Sequence, residues 1–102
     1  MRVKMIQTVK SSNGEFAHFS RLIFLPVAPY VGLSIIGLQD RPKDDDPSEA
    51  TIEHVYYDFR ETCFVAELST YEYREDKSVR DGEYGSATWI AENPYQDWKS
   101  LD

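Results

Sequence analysis

The chain has 102 residues, 41% of them hydrophobic and 14% aromatic, and a formal net charge of −7. That length fits one domain spanning residues 1–102, and the apolar content is enough to fill a single core, which excludes wholesale disorder. The charge is uneven: residues 1–38 carry four basic and one acidic side chain, net +3, whereas residues 39–102 carry seven basic and seventeen acidic, net −10.

Val3, Met5 and Val9 alternate with Lys4, Thr8 and Lys10, which predicts a first strand with one wet face. Ser11-Ser12-Asn13-Gly14 follows, and Asn-Gly supplies the positive φ angles of a tight hairpin turn. A second strand runs from Phe16 to Leu25. Its two faces are both mixed: His18, Ser20, Leu22 and Phe24 on one, Phe19, Arg21, Ile23 and Leu25 on the other. A bulge near Ser20-Arg21 would reconcile them. Pro26-Val27-Ala28-Pro29 reads as a structural turn despite its Pro-x-x-Pro spacing, because neither proline can donate to a ladder. Tyr30 to Leu38 is apolar on both faces, which predicts a central strand, bent at Gly32 and Gly37. The stretch from Leu22 to Leu38, with two prolines and two glycines inside it, is a poor membrane span.

Gln39 to Ser48 is the polar break of the chain. Asp46-Pro47-Ser48-Glu49 resembles a helix start, and Ile52, Val55, Tyr56 and Phe59 would then share a helical face, giving an α+β alternative with a helix within residues 47–58. Thr51-Ile52 and Val55-Tyr56-Tyr57 are better strand residues, so the preferred reading is a strand from Thr51 to Phe59. A further strand from Cys63 to about Tyr73 would place Phe64, Ala66 and Leu68 on one face and Glu67, Ser69 and Tyr71 on the other. Val55, Tyr57 and Phe59 would meet that apolar face across a hairpin. Arg74 to Ser86 reads as an exposed loop, Ala87 to Ile90 as a sixth short strand, and Asn93-Pro94 as the start of a short C-terminal helix carrying Tyr95, Trp98 and Leu101. The predicted fold is mostly β: a small antiparallel barrel or sandwich of roughly five to six strands, closed by that helix.

Candidate chemistry is sparse. Lys/Arg clusters bind phosphate backbones, and the sequence has none, so direct nucleic-acid binding is disfavoured. Cys63 is the lone cysteine, which excludes an intrachain disulfide and favours a reducing, cytoplasmic setting. The start, Met1-Arg2-Val3-Lys4, lacks the contiguous apolar region of a secretory leader. Asp40, Asp44, Asp46 and Glu49 offer oxygens for calcium, but no glycine lies inside the run to form the bend. Cys63, His54 and Asp58 suggest a Cys-His-Asp triad, yet across a short hairpin Cys63 falls nearer Phe59 than His54. With His18 and His54 as the two histidines, no closed zinc site forms without carboxylate help. No metal, cofactor or catalytic residue is therefore assigned.

The aromatics exceed what a small core hides, and aromatics with a polar handle favour interfaces. Tyr71, Tyr73, Trp89 and Trp98 are the candidate interaction surface. The leading functional expectation is a non-catalytic, acidic protein-interaction module using an aromatic-rich sheet face or edge, with a protein partner or a second copy as occupant. Two alternatives stand beside it: an inhibitor whose acids mimic nucleic-acid phosphates, and a small-ligand or hydrolytic barrel using His54 and nearby carboxylates.

Overall fold

The first strand carries the cleanest alternation in the chain. In β1 (Arg2–Lys10), Val3, Met5, Gln7 and Val9 are buried while the residues between them keep part of their surface in water. A computed structural model describes residues 1–11, 13–38, 49–72, 95 and 97–101. Among these residues the chain forms strands and connections without a helix: β2 (Phe16–Phe24), β3 (Ser34–Ile36), β4 (Glu49–Asp58), β5 (Cys63–Leu68), β6 (Tyr71–Glu72) and β7 (Lys99–Ser100) follow β1. They make one mixed sheet in the order β3-β4-β5-β1-β2-β7, with β6 extending β5's side of β1. The all-β expectation holds. Most pairings are antiparallel, and β1 adds parallel ones: it pairs parallel with β5 and β6 and antiparallel with β2. No described residues pair the end strands β3 and β7 with each other.

The hairpin at Asn13-Gly14 is present, with a longer loop than a two-residue turn. Ser11 N–H donates to Glu15 O at 2.7 Å and Gly14 N–H to Ser11 O at 3.0 Å. Gly14 takes the positive φ, 88°, as the left-handed residue of a three-residue connection does. Beyond it, β1 and β2 stay in register from Lys10↔Phe16 to Arg2↔Phe24, so the expected bulge near Ser20-Arg21 is absent. The mixed faces of β2 have other causes. Arg21 lies on the inner face opposite Met5 and escapes burial of its charge by donating from its guanidinium to Leu38 O at 3.1 Å. Ser20 is buried on the outer face because β7 covers it, Ser20 pairing with Lys99.

Tyr30 to Leu38 is not a central strand. Only Ser34–Ile36 is extended, and it sits at the end of the sheet. Gly32 and Gly37 interrupt it with φ of 97° and 82°. Its apolar residues divide: Leu33, Ile35 and Leu38 pack on the core while Val31 and Ile36 stay exposed. β1 takes the central place instead.

The helix alternative fails over residues 49–58, which form β4. Ile52 pairs with Leu68 and His54 with Glu67, leaving Glu53 as an extra residue. This bulge reverses the strand's phase, as bulges do. Ile52 and Val55, three residues apart, both face inward against Leu68 and Ala66. A helix-like spacing thus arises inside a strand. Past the bulge, Val55↔Ala66 and Tyr57↔Phe64 match the expected hairpin pairing.

The core is the inner face of the sheet with its covering segments: Val3, Met5, Val9, Phe19, Ile52, Ala66 and Leu68, capped by Leu38, Tyr95 and Trp98. The expected C-terminal helix is not present among the described residues. Trp98 N–H donates to Tyr95 O at 3.0 Å as a single turn, and the chain then extends as β7, where Leu101 N–H reaches His18 O at 2.9 Å. The aromatic docking foreseen for this segment is present at Tyr95 and Trp98. Gln39 to Ser48, the Arg74 to Ser86 loop and the Ala87 to Ile90 strand lie outside the described residues.

Candidate functional site

Of the four aromatics singled out by the sequence, two are placed on the core side. Trp98 is 7% exposed and meets the Tyr95 ring edge-on at 5.1 Å. Its indole Nε1 is buried with no hydrogen-bond partner among the described residues. Tyr71 is half-buried and packs against the core. It had been expected on the wet face with Glu67. The chain leaves β5 at Leu68 and re-enters beside β1 as β6, where Tyr71 pairs with Val9, so the Ser69-Thr70 link swaps its face. Tyr73 and Trp89 lie outside the described residues.

Phe16, Phe24 and Tyr30 are exposed singly, whereas three exposed aromatics gather at the end of the sheet where the β4–β5 hairpin turns. Tyr56, Tyr57 and Phe59 are 45%, 42% and 84% exposed. The Tyr57 ring meets Phe59 at 5.0 Å and Phe64 at 5.1 Å, both edge-to-face. These residues have little cover because of where β4 ends its pairing. β3 pairs with β4 at Glu49, Ala50 and Thr51, and Ile52 bonds back to Leu33 and Gly32. From Glu53 to Asp58, no described strand lies on the side of β4 away from β5. Half the backbone groups of such a stretch point outward without a ladder partner. The sequence held a signal for this site in Tyr56-Tyr57 and Phe59, aromatics at neighbouring positions on both faces of one segment.

The hairpin turn itself is held by charge and carries strain. Asp58 accepts from Arg60 N–H at 2.9 Å and from its guanidinium Nε at 3.4 Å. The Arg60 side-chain bonds, then its backbone N–H, hold the Asp58 carboxyl below the usual carboxylate range. A depressed folded pKa stabilises the turn above the unfolded value and loses that contribution as pH falls through the folded one. Arg60→Ala is therefore expected to raise the Asp58 titration midpoint toward the ordinary carboxylate range, read by carboxyl NMR; an unchanged midpoint contradicts the pairing. Thr62 sits at φ 52°, left-handed backbone that costs a side-chain-bearing residue roughly 1–2 kcal/mol. Thr62→Gly is expected to raise unfolding stability by about 0.5–1 kcal/mol in urea titrations, the relief being partly offset by glycine's extra chain entropy.

Both histidines line the outer face. His18, His54, Glu53 and Glu67 line one depression of about 370 Å³ with Thr8 and Thr70. The bulge at Glu53 brings His54 opposite Glu67, its Nδ1 lying 3.6 Å from a carboxylate oxygen. The His54 side chain is 73% exposed, so the pair sits in water rather than in a site that strengthens electrostatics. Cys63 is buried opposite Asp58, at the other end of the hairpin from the His54–Glu67 pair, and no triad forms. Among the described residues no three His, Cys, Asp or Glu side chains converge to hold a metal ion, and no helix is long and apolar enough to cross a membrane.

Compared with known proteins, the chain matches no family model, no curated protein sequence and no solved structure.

Proposed function

We propose that this chain is a non-catalytic protein-interaction module that takes an extended partner segment along the open edge of β4. The observation carrying the reading is the stretch from Glu53 to Asp58, paired on one side only among the described residues and flanked by Tyr56, Tyr57 and Phe59 in water. Strand addition gives affinity through main-chain hydrogen bonds and specificity through alternate side chains. Glu53 and Glu67 beside the edge, in a chain of net charge −7, favour a segment that is basic as well as apolar. The lone, buried Cys63 fits a cytoplasmic setting. The phosphate-mimicking alternative gains less support, because the described acids are interleaved with cations: Glu61 pairs with Lys4, Glu72 with Lys10 and Asp58 with Arg60.

The test is site-specific photo-crosslinking in lysate from position Tyr56, with position Thr8 on the outer face as control. The reading expects crosslinks from Tyr56 that map to extended, net-basic partner segments and that disappear in a Glu53→Lys, Tyr57→Lys double variant. Equal crosslinking from Thr8, or captured segments without basic character, would contradict it.

The depression holding His18, His54, Glu53 and Glu67 favours a second reading, a small polar ligand held on the outer face. It predicts that His18→Ala and His54→Ala each abolish binding of that ligand while leaving crosslinking from Tyr56 intact.

A further inference from the structure

A second depression, of about 380 Å³, opens on the outer face between β1, β2, β5 and β7. Its cationic wall comes from the even positions of β1: Arg2 and Lys4 project outward because Val3 and Met5 project inward. Leu22 stands opposite Lys4, and Ser20 opposite Lys99. Leu101 and Lys99 close one side, and Cys63 and Glu61 the other. Lys4 is engaged, its Nζ lying 3.3 Å from Glu61. Arg2 and Lys99 have no carboxylate partner among the described residues. Three cations face one acid here, on a chain whose overall charge is −7.

From this arrangement we infer a binding site for a small amphiphilic anion, a carboxylate or phosphate monoester carrying a short apolar body. The head would be met by Arg2 and Lys99, with the guanidinium fork suited to two anionic oxygens. The body would lie on Leu22 and Leu101, which stay exposed although they flank the depression. Its volume falls at the lower end of the range of about 300–1,000 Å³ that small-molecule sites occupy. The protein's own field repels anions at long range. Localised anion binding therefore requires a built cluster of cations rather than diffuse attraction. The site is separate from the β4 edge, and its occupancy does not depend on partner binding there.

The experiment is a ¹⁵N-amide NMR titration of the full chain with octyl phosphate and with sodium octanoate below their micellar concentrations, beside inorganic phosphate and neutral octyl glucoside. The proposal expects saturable shifts confined to residues around Arg2, Lys4, Ser20, Leu22, Lys99 and Leu101 with at least one octyl anion. It expects binding at least tenfold weaker for inorganic phosphate and for the glucoside. Arg2→Gln with Lys99→Gln, both at exposed positions, should weaken binding at least tenfold while the remaining amide spectrum stays in place. Lys10→Gln, at the far end of β1 and paired with Glu72, should bind as the parent does. Dispersed shifts, equal affinity for the glucoside, equal affinity for inorganic phosphate, or an unaffected double variant would each overturn the assignment. Which octyl anion binds more tightly separates a carboxylate from a phosphate ligand.

Discussion

Replacing Tyr95 by alanine is expected to cost about 3–5 kcal/mol, the range for losing a buried aromatic side chain. For a domain whose total stability falls within about 5–15 kcal/mol, that leaves a protein at the margin of unfolding. The reason lies in how many elements the ring joins. Tyr95 is 1% exposed, stacks on Phe19 of β2 at 4.5 Å with an interplanar angle of 18°, and meets Trp98 edge-on. Its hydroxyl donates to Gln7 Oε1 at 2.6 Å, and Gln7 Nε2 donates on to Ser69 O at 3.0 Å. One side chain therefore pins the C-terminal segment to β1, β2 and the β5–β6 link. Tyr95→Phe keeps the rings and removes the hydroxyl, so it should cost about 1–3 kcal/mol. Gln7→Leu combined with Tyr95→Phe should cost less than the two single losses together, since removing both partners of a buried pair leaves fewer groups stranded. Urea unfolding followed by tryptophan fluorescence measures all three. A Tyr95→Ala variant within about 1 kcal/mol of the parent would show that the C-terminal segment does not cap this core.

Ile52→Ala is expected to cost about 2–5 kcal/mol, while Phe59→Ala changes stability by no more than about 0.5 kcal/mol. The contrast separates two readings of one segment. On a helix, Ile52 and Phe59 would share a face with Val55 and Tyr56 and both would be buried. In β4, Ile52 is fully buried against Leu68 whereas Phe59 is 84% exposed. Ile52 also anchors the backbone, its N–H donating to Leu33 O at 2.9 Å and its carbonyl accepting from Gly32 N–H at 2.8 Å. Alanine keeps those bonds, so the measured loss reports the side chain alone. Comparable losses at both positions would mean the bulged strand is wrong.

Two-residue periodicity made β1 and the Val55↔Ala66, Tyr57↔Phe64 pairing legible, because β1 and the part of β4 beyond the Glu53 bulge alternate without interruption. It misled where another influence set the face. The apolar run from Tyr30 to Leu38 looked central because composition records burial propensity and not position. Two left-handed glycines cut it to three strand residues, with its leucines turned inward as a cover. Arg21 disguised the inner face of β2, since a long guanidinium can share that face by reaching the Leu38 carbonyl, 17 residues away in sequence but adjacent in space. Tyr71 fell on the unexpected side because the Ser69-Thr70 link changes phase without a glycine or proline to announce it. Parallel pairing of β1 with β5 was not readable at all: it joins segments far apart in sequence, and alternation is the same for either direction.

The edge of β4 left its own mark in the sequence, as paired tyrosines with a phenylalanine beside them. What could not be read was that β3 stops pairing at Thr51, because strand length at a partner depends on the glycines that bend it. The interaction surface proposed here is the β4–β5 hairpin; Trp98 is core, and Tyr73 and Trp89 lie outside the described residues.

Amide hydrogen exchange along β4 tests that placement most directly. The open edge predicts that amides alternate between slow and fast exchange from Val55 to Asp58, against slow exchange throughout the interior of β1, which has partners on both sides. Uniformly slow exchange from Val55 to Asp58 in the free monomer would mean that another part of the chain already covers this edge, and the proposed docking site would not exist.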